Sequence, residues 1–145
     1  MYEHILIATD GSDLALKAVD QGLTLAKALN SKVTAITVTK PWTSIASGEM
    51  GITFPIDEYE KGCFEGAAKI LGAVSKRAST AGVSCQTLHV KEQFAAEGII
   101  ATAKSQGCDL IVMASHGRRG LSRLLLGSQA NSVVTHSTVP VLICR

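Results

Sequence analysis

The 145-residue sequence predicts an α/β domain built on an open five-stranded parallel sheet with helices on both faces. Three observations carry this. Apolar runs of strand length, such as Ile5 to Ala8 and Leu110 to Ala114, read as strands buried on both faces. Between the strands lie stretches with helical apolar spacing, so strand and helix alternate. Gly, Asn or Pro punctuates the changes from one to the other.

Ile5 to Ala8 is strand one, closed by the turn Thr9-Asp10-Gly11-Ser12. Ser12 is a helix N-cap, Ala15, Val19, Gly22, Leu23 and Ala26 form one helical face, and Asn30 supplies the stop. Lys32 to Thr39 is β-branched and reads as strand two, ending before Pro41. Lys40 to Asp57, with Pro41, Gly48, Gly51 and Pro55, is too long for an ordinary connection and reads as a functional lid or mobile loop. A second helix spans about Asp57 to Ala81, burying Cys63, Ala67, Ile70, Leu71, Val74 and Ala78, with Gly82 as its stop. Ser84 to Val90 is strand three, Ala95 to Ser105 a short helix ended by Gly107, and Leu110 to Ala114 strand four. The last helix runs from near Gly127 to His136, and Val139 to Cys144 is strand five. Five strands and four helices result, joined by right-handed crossovers.

A chain of this length buries about 70% of its unfolded surface, so one domain, 1–145, that folds alone is expected. Hydrophobic residues at 46% and charged residues at 18% are too apolar a balance for disorder. Fourteen Lys and Arg against 12 Asp and Glu leave a formal charge of +2, which makes neither nucleic acid nor an anionic membrane surface the expected partner. No apolar run approaches the ~20 residues of a membrane span, and the first ten residues lack signal-peptide character, so a cytoplasmic location is expected. The four cysteines are scattered without CxxC spacing and do not cluster with His4, His89, His116 or His136, which argues for reduced thiols and against structural zinc.

In sheets of this class ligands sit beyond the carboxyl ends of the strands. The segment after strand four, Met113-Ala114-Ser115-His116-Gly117-Arg118-Arg119-Gly120, continues through Leu121-Ser122-Arg123-Leu124-Leu125-Leu126 to Gly127-Ser128. Gly117 and Gly120 permit backbone turns, and Gly127 and Ser128 would present free N–H groups at the positive end of a helix dipole, which suits a phosphate. Arg118, Arg119 and Arg123 add positive charge, and the Ser128 hydroxyl could meet a phosphate oxygen or a hydrated cation. From glycine content alone, the segment reads as a surface loop whose glycines only make turns and whose Ser128 only caps its helix. It is neither GxxxxGK[ST] nor GxGxxG.

The spacing Ala114-x2-Gly117-x9-Gly127-Ser128 resembles the G-x2-G-x9-G-[ST] nucleotide loop of ATP-binding universal stress proteins. Ile5-Leu6-Ile7-Ala8-Thr9-Asp10-Gly11-Ser12 resembles that family's first strand and turn, and Val139-Pro140-Val141-Leu142-Ile143 its last strand. The resemblance implies a Rossmann-like fold of the adenine nucleotide alpha hydrolase kind, with strand order 3-2-1-4-5. It places Ala8, Thr9, Asp10 and Val38 around adenine and ribose, Met113 beside Asp10 at the switch point, and Ala114, Ser115, His116, Gly117, Arg118, Arg119 and Gly120 around the phosphates. Gly127, Ser128, Gln129 and Ala130 would close the far side. It implies ATP, ADP or AMP as ligand, with magnesium held through the phosphates near Ser128. Ala114 departs from the pattern by adding a methyl where the family has glycine, tolerable if its backbone stays strand-like.

Asp10 serves either a ribose or cation, or the N–H groups starting helix one. His116 has no companion carboxylate or nucleophile spaced for catalysis, and no P-loop lysine is present, so no catalytic residue is assigned. Trp42 either stacks on a base or covers the long loop. Strand five, apolar and at a sheet edge, predicts a symmetric homodimer, as family resemblance also implies. Three functions follow: a nucleotide-binding stress-response module acting on an unidentified protein partner, a slow ATPase or nucleotidyl-transfer relative, or a nucleotide-free interaction dimer.

Overall fold

A computed structural model describes residues 1–46, 55–117 and 125–145. Ten elements follow in order: β1 (His4–Ala8), α1 (Asp13–Leu29), β2 (Lys32–Val38), α2 (Trp42–Ala46), α3 (Ile56–Ala81), β3 (Cys85–Val90), α4 (Ala95–Ser105), β4 (Leu110–Ala114), α5 (Ser128–His136) and β5 (Val141–Cys144). The strands form one parallel sheet in the order β3-β2-β1-β4-β5. This is the order the family resemblance implied, with helices on both faces.

Alternation along the strands sorts the core into two layers. Ile5, Ile7, Val33, Ala35, Val112 and Ala114 pack beneath α1 and α3. Leu6, Ala8, Ile36, Ile111 and Met113 pack beneath α4 and α5. All five residues of β1 are buried, the signature its uninterrupted apolar run carries. α1 lies close on the sheet because Gly22 has no side chain: a Cβ there would stand 2.6 Å from Ile7 Cδ1 and 3.3 Å from Val112 Cγ1. Asn30 and Gly82 end α1 and α3 in the left-handed conformation at φ 56° and 71°.

Several boundaries differ from expectation, each for a local reason. The long connection after β2 holds a fifth helix, the single turn α2, whose Ser44 N–H and hydroxyl both bond the Pro41 carbonyl. The rest of that connection, 47–54, lies outside the described residues. α3 begins at Ile56, and Cys63 and Ile70 of its expected buried face are only half-buried, while Ala67, Leu71, Val74 and Ala78 are buried. β3 begins at Cys85 rather than Ser84, although the Ser84 carbonyl accepts from Val33 N–H at 3.0 Å. β5 begins at Val141 rather than Val139, because Pro140 has no N–H to give and Val139 N–H is taken by the Ser137 hydroxyl at 3.1 Å. Among the described residues no helix is long and apolar enough to cross a membrane.

Candidate functional site

A cavity of about 710 Å3, a volume suited to a small ligand, opens beyond the carboxyl ends of β1, β2 and β4. Ala8, Thr9, Asp10 and Val38 line it from the exits of β1 and β2. Met113, Ala114, Ser115, His116 and Gly117 line it from β4, and Gly127, Ser128, Gln129 and Ala130 from the start of α5. The sequence candidates therefore converge in space, with Arg118, Arg119, Gly120 and Arg123 outside the described residues. Ala15, Ile36, Thr37, Lys40, Ala95, Ile99, Leu125 and Leu126 complete the wall. Trp42 is not among the lining residues.

The exit of β1 folds back on itself. Thr9 Oγ1 accepts from Gly11 N–H at 3.1 Å, Asp10 Oδ1 from Ser12 N–H at 3.0 Å, and Ser12 Oγ from Ala15 N–H at 3.3 Å. Gly11 takes φ 80°, which the tight turn demands. Asp10 thus anchors the start of α1, as one of its two expected roles has it, while lining the cavity. It is the only carboxylate among the described lining residues, and Lys40 their only lysine or arginine.

The exit of β4 is gripped from two sides. Ser115 N–H donates to the Cys144 carbonyl at 2.8 Å, and the Ser115 carbonyl accepts from Gly127 N–H at 2.8 Å. This corrects one expectation: the Gly127 amide is not free, because it latches the start of α5 onto the end of β4. Both glycines are explained by close approach rather than by left-handed turns. A Cβ on Gly117 would lie 2.6 Å from Asp10 Oδ2, and one on Gly127 would lie 3.0 Å from the Ser115 carbonyl and 3.4 Å from His116 Cα. Ala114 ends β4 in extended backbone, and Asn30 and Glu92 are the only described non-glycine residues with positive φ, so its extra methyl carries no backbone strain. His116 Nδ1 pairs with Ser115 Oγ at 3.0 Å.

The starts of α1, α4 and α5 all border the cavity, and they differ in how their first amides are satisfied. α1 has Ser12. α4 has no cap of its own at Phe94, but Gln129 reaches across from α5 and accepts from Ala96 N–H at 3.0 Å. α5 has Gly127 at its N-cap and no side-chain cap, and its first helical bond is Asn131 N–H to the Gly127 carbonyl at 2.9 Å. The amides of Ser128, Gln129 and Ala130 therefore lack a protein acceptor among the described residues. At the rim, the Tyr59 hydroxyl of α3 donates to the Lys40 carbonyl. Burial and the neighbouring Cys63 push its pKa up to about 12, which keeps it a donor at physiological pH.

Across the whole chain, residues 1–145 match the universal stress protein family. The chain belongs to this family. The universal stress protein YxiE of Bacillus subtilis is 34% identical over 149 residues, covering the full length of both proteins. Among solved structures, the hypothetical protein MJ0577 superimposes with a TM-score of 0.82 at 27% identity over 99% of this chain and 96% of that one. A universal stress protein in complex with cAMP is similar with a TM-score of 0.70 at 27% identity, covering 99% of this chain and 97% of its own. Membership in the universal stress protein family is thus carried by sequence and fold together.

Among the lining residues that sequence reasoning missed, those of α4 and Lys40 differ in origin. Ala95 and Ile99 sit on α4, whose start the crossover rule brings to the same end of the sheet, so topology carries that signal. Lys40 is the first residue of a long connection, and nothing in its neighbours marks it.

Proposed function

We propose that this universal stress protein binds an adenine nucleotide in the cavity, with the phosphates on the start of α5. The observation that carries the proposal is the contrast among the three helix starts. α1 and α4 have side-chain acceptors on their first turns, and α5 has none among the described residues. A helix start with open amides and a positive dipole end favours an anion. The cAMP complex of the 27% identical relative supports an adenine nucleotide in particular. Ala8, Thr9, Asp10 and Val38 would then face base and ribose, Met113 to Gly117 would follow the phosphates, and Arg118, Arg119 and Gly120 belong to the same proposal.

ATP is the form the loop pattern favours. Among the described residues no group of three His, Cys, Asp or Glu side chains could hold a metal ion, so magnesium would arrive bound to the phosphates, with the Ser128 hydroxyl within the proposed binding turn. The nucleotide would act as a signal: its occupancy changes what a cytoplasmic dimer, paired through β5, offers to a partner protein. β5 lies at a sheet edge with Leu142 40% exposed, which is the support for pairing there.

Thermal unfolding with and without ATP and magnesium tests this. Ligand at 100 times its dissociation constant should stabilise the fold by about 2.7 kcal/mol and raise the melting temperature. An unchanged melting temperature at millimolar ATP, ADP and AMP would favour a nucleotide-free interaction dimer. Phosphate release well above that of Gly127→Val would favour the ATPase alternative.

A further inference from the structure

Gln129 occupies a position that the nucleotide proposal leaves unexplained. Its backbone amide is one of the open donors in the first turn of α5, while its side chain caps a different helix 33 residues away in sequence. α4 cannot supply that cap itself, since Phe94 at its N-cap offers no acceptor. Ala96 and Ala130, which flank the tie, are both buried, and the two helices pack against each other over the same core layer. One residue therefore serves two helix starts at once, by backbone on one side and by side chain on the other.

We propose that Gln129 is a positioning residue that transmits occupancy of the α5 start to the first turn of α4. This rests on the nucleotide reading. An anion on the amides of Ser128, Gln129 and Ala130 restricts the backbone from which the Gln129 side chain springs, so less freedom remains to be lost in capping Ala96. The converse holds by linkage: a side chain already fixed on α4 preorganises the Gln129 amide for the anion. The responsive turn carries Phe94, which is 46% exposed next to the lining residue Ala95. Occupancy inside the cavity thereby gains an outlet on the surface.

Hydrogen exchange of the full chain with saturating ATP and magnesium, alongside ATP titration, tests the idea. In the wild type, ATP slows exchange both at 128–130 and at 95–98. Gln129→Met keeps the bulk but removes the acceptor, so ATP still protects 128–130, protection at 95–98 disappears, and the dissociation constant rises about fivefold. Gln129→Glu retains an acceptor for Ala96 and keeps the protection at 95–98 at saturation, though its charge weakens ATP binding. A purely structural cap would speed exchange at 95–98 in Gln129→Met equally with and without ATP and leave the affinity unchanged. The proposal is overturned if ATP protects 95–98 equally in wild type and Gln129→Met, or protects 128–130 but never 95–98. If ATP protects neither segment, the nucleotide reading itself falls and this one with it.

Discussion

The exits of β1 and β4 lie side by side at the centre of the sheet, yet they treat their hydrogen bonds in opposite ways. From Thr9 to Ser12 three successive side chains each accept a nearby amide, so the turn into α1 is closed by its own residues. The passage from β4 to α5 uses a backbone latch, Gly127 to Ser115, to hold the helix in place and leaves the next three amides open among the described residues. The first arrangement stabilises the fold whatever the surroundings contain. The second tolerates water and favours an anion, which is what a binding surface needs. On the proposed nucleotide reading, the two neighbouring helix starts then divide into fold support at α1 and phosphate receptor at α5, according to where each finds its acceptors.

The largest effect that would sharpen this contrast is at Gly127. Its φ of −60° and ψ of 159° suit any residue, so the cost of Gly127→Val is steric, against the Ser115 carbonyl and His116. Titration calorimetry should show ATP binding lost, while the melting temperature without ligand falls by the equivalent of about 1–3 kcal/mol. Undiminished ATP affinity in a folded Gly127→Val protein would mean that the α5 start is not the receptor.

Ser12→Ala addresses the other side. Loss of the α1 cap should reduce stability in urea by about 1 kcal/mol, with the ATP-induced rise in melting temperature unchanged. If the ATP response vanished as well, the α1 start would share in holding the phosphates and the division drawn above would fail.

The smallest effect lies at the opposite end of the sheet. His4 is buried, with Nε2 2.7 Å from Thr34 Oγ1, and burial, with Lys32 nearby, lowers its pKa against the opposing pull of Asp109. The fold thus holds it neutral. Below the ordinary value of 6.5 the unfolded chain binds a proton that the native state refuses, so stability falls as pH drops from there towards the lowered native value. Burial and Lys91 lower His89 in the same sense. His4→Gln should flatten, without abolishing, the acid side of the stability curve measured by urea unfolding, and leave ATP affinity at pH 7 unaltered. A curve as steep as the wild type's would assign the acid sensitivity elsewhere.

How legible these features were depended on what decides them. β1 and β4 are continuous apolar runs, and continuity is what burial on both faces requires, so both were read directly. The caps Ser12, Asn30 and Gly82 act within a few residues of chain and were equally visible. Strand order is a long-range property: nothing in Leu110 to Ala114 says that it pairs with β1, and it came from family resemblance. The short helix α2 was missed because one turn carries no periodicity, and the start of β5 was misplaced because Pro140 sits inside an apolar run. At the cavity, the glycine spacing located the loop but misassigned its cause. Gly117 is small to admit Asp10 from a distant segment of the chain, and Gly127 to admit the Ser115 carbonyl across the intervening loop. The Gln129 tie to Ala96 has no sequence signature, since its partner amide belongs to a helix whose placement only the fold supplies.

The central position of β1 has a consequence for how the molecule is made. Of the five strands of this sheet it is made first, and one of its two neighbours, β4, is encoded more than 100 residues later. Until Leu110 to Ala114 has emerged, one side of a mostly apolar ribbon has no hydrogen-bonded neighbour, an invitation to premature association that faster synthesis shortens. The cavity, walled by both strands and by α5, is complete only once the later elements of this domain have been made.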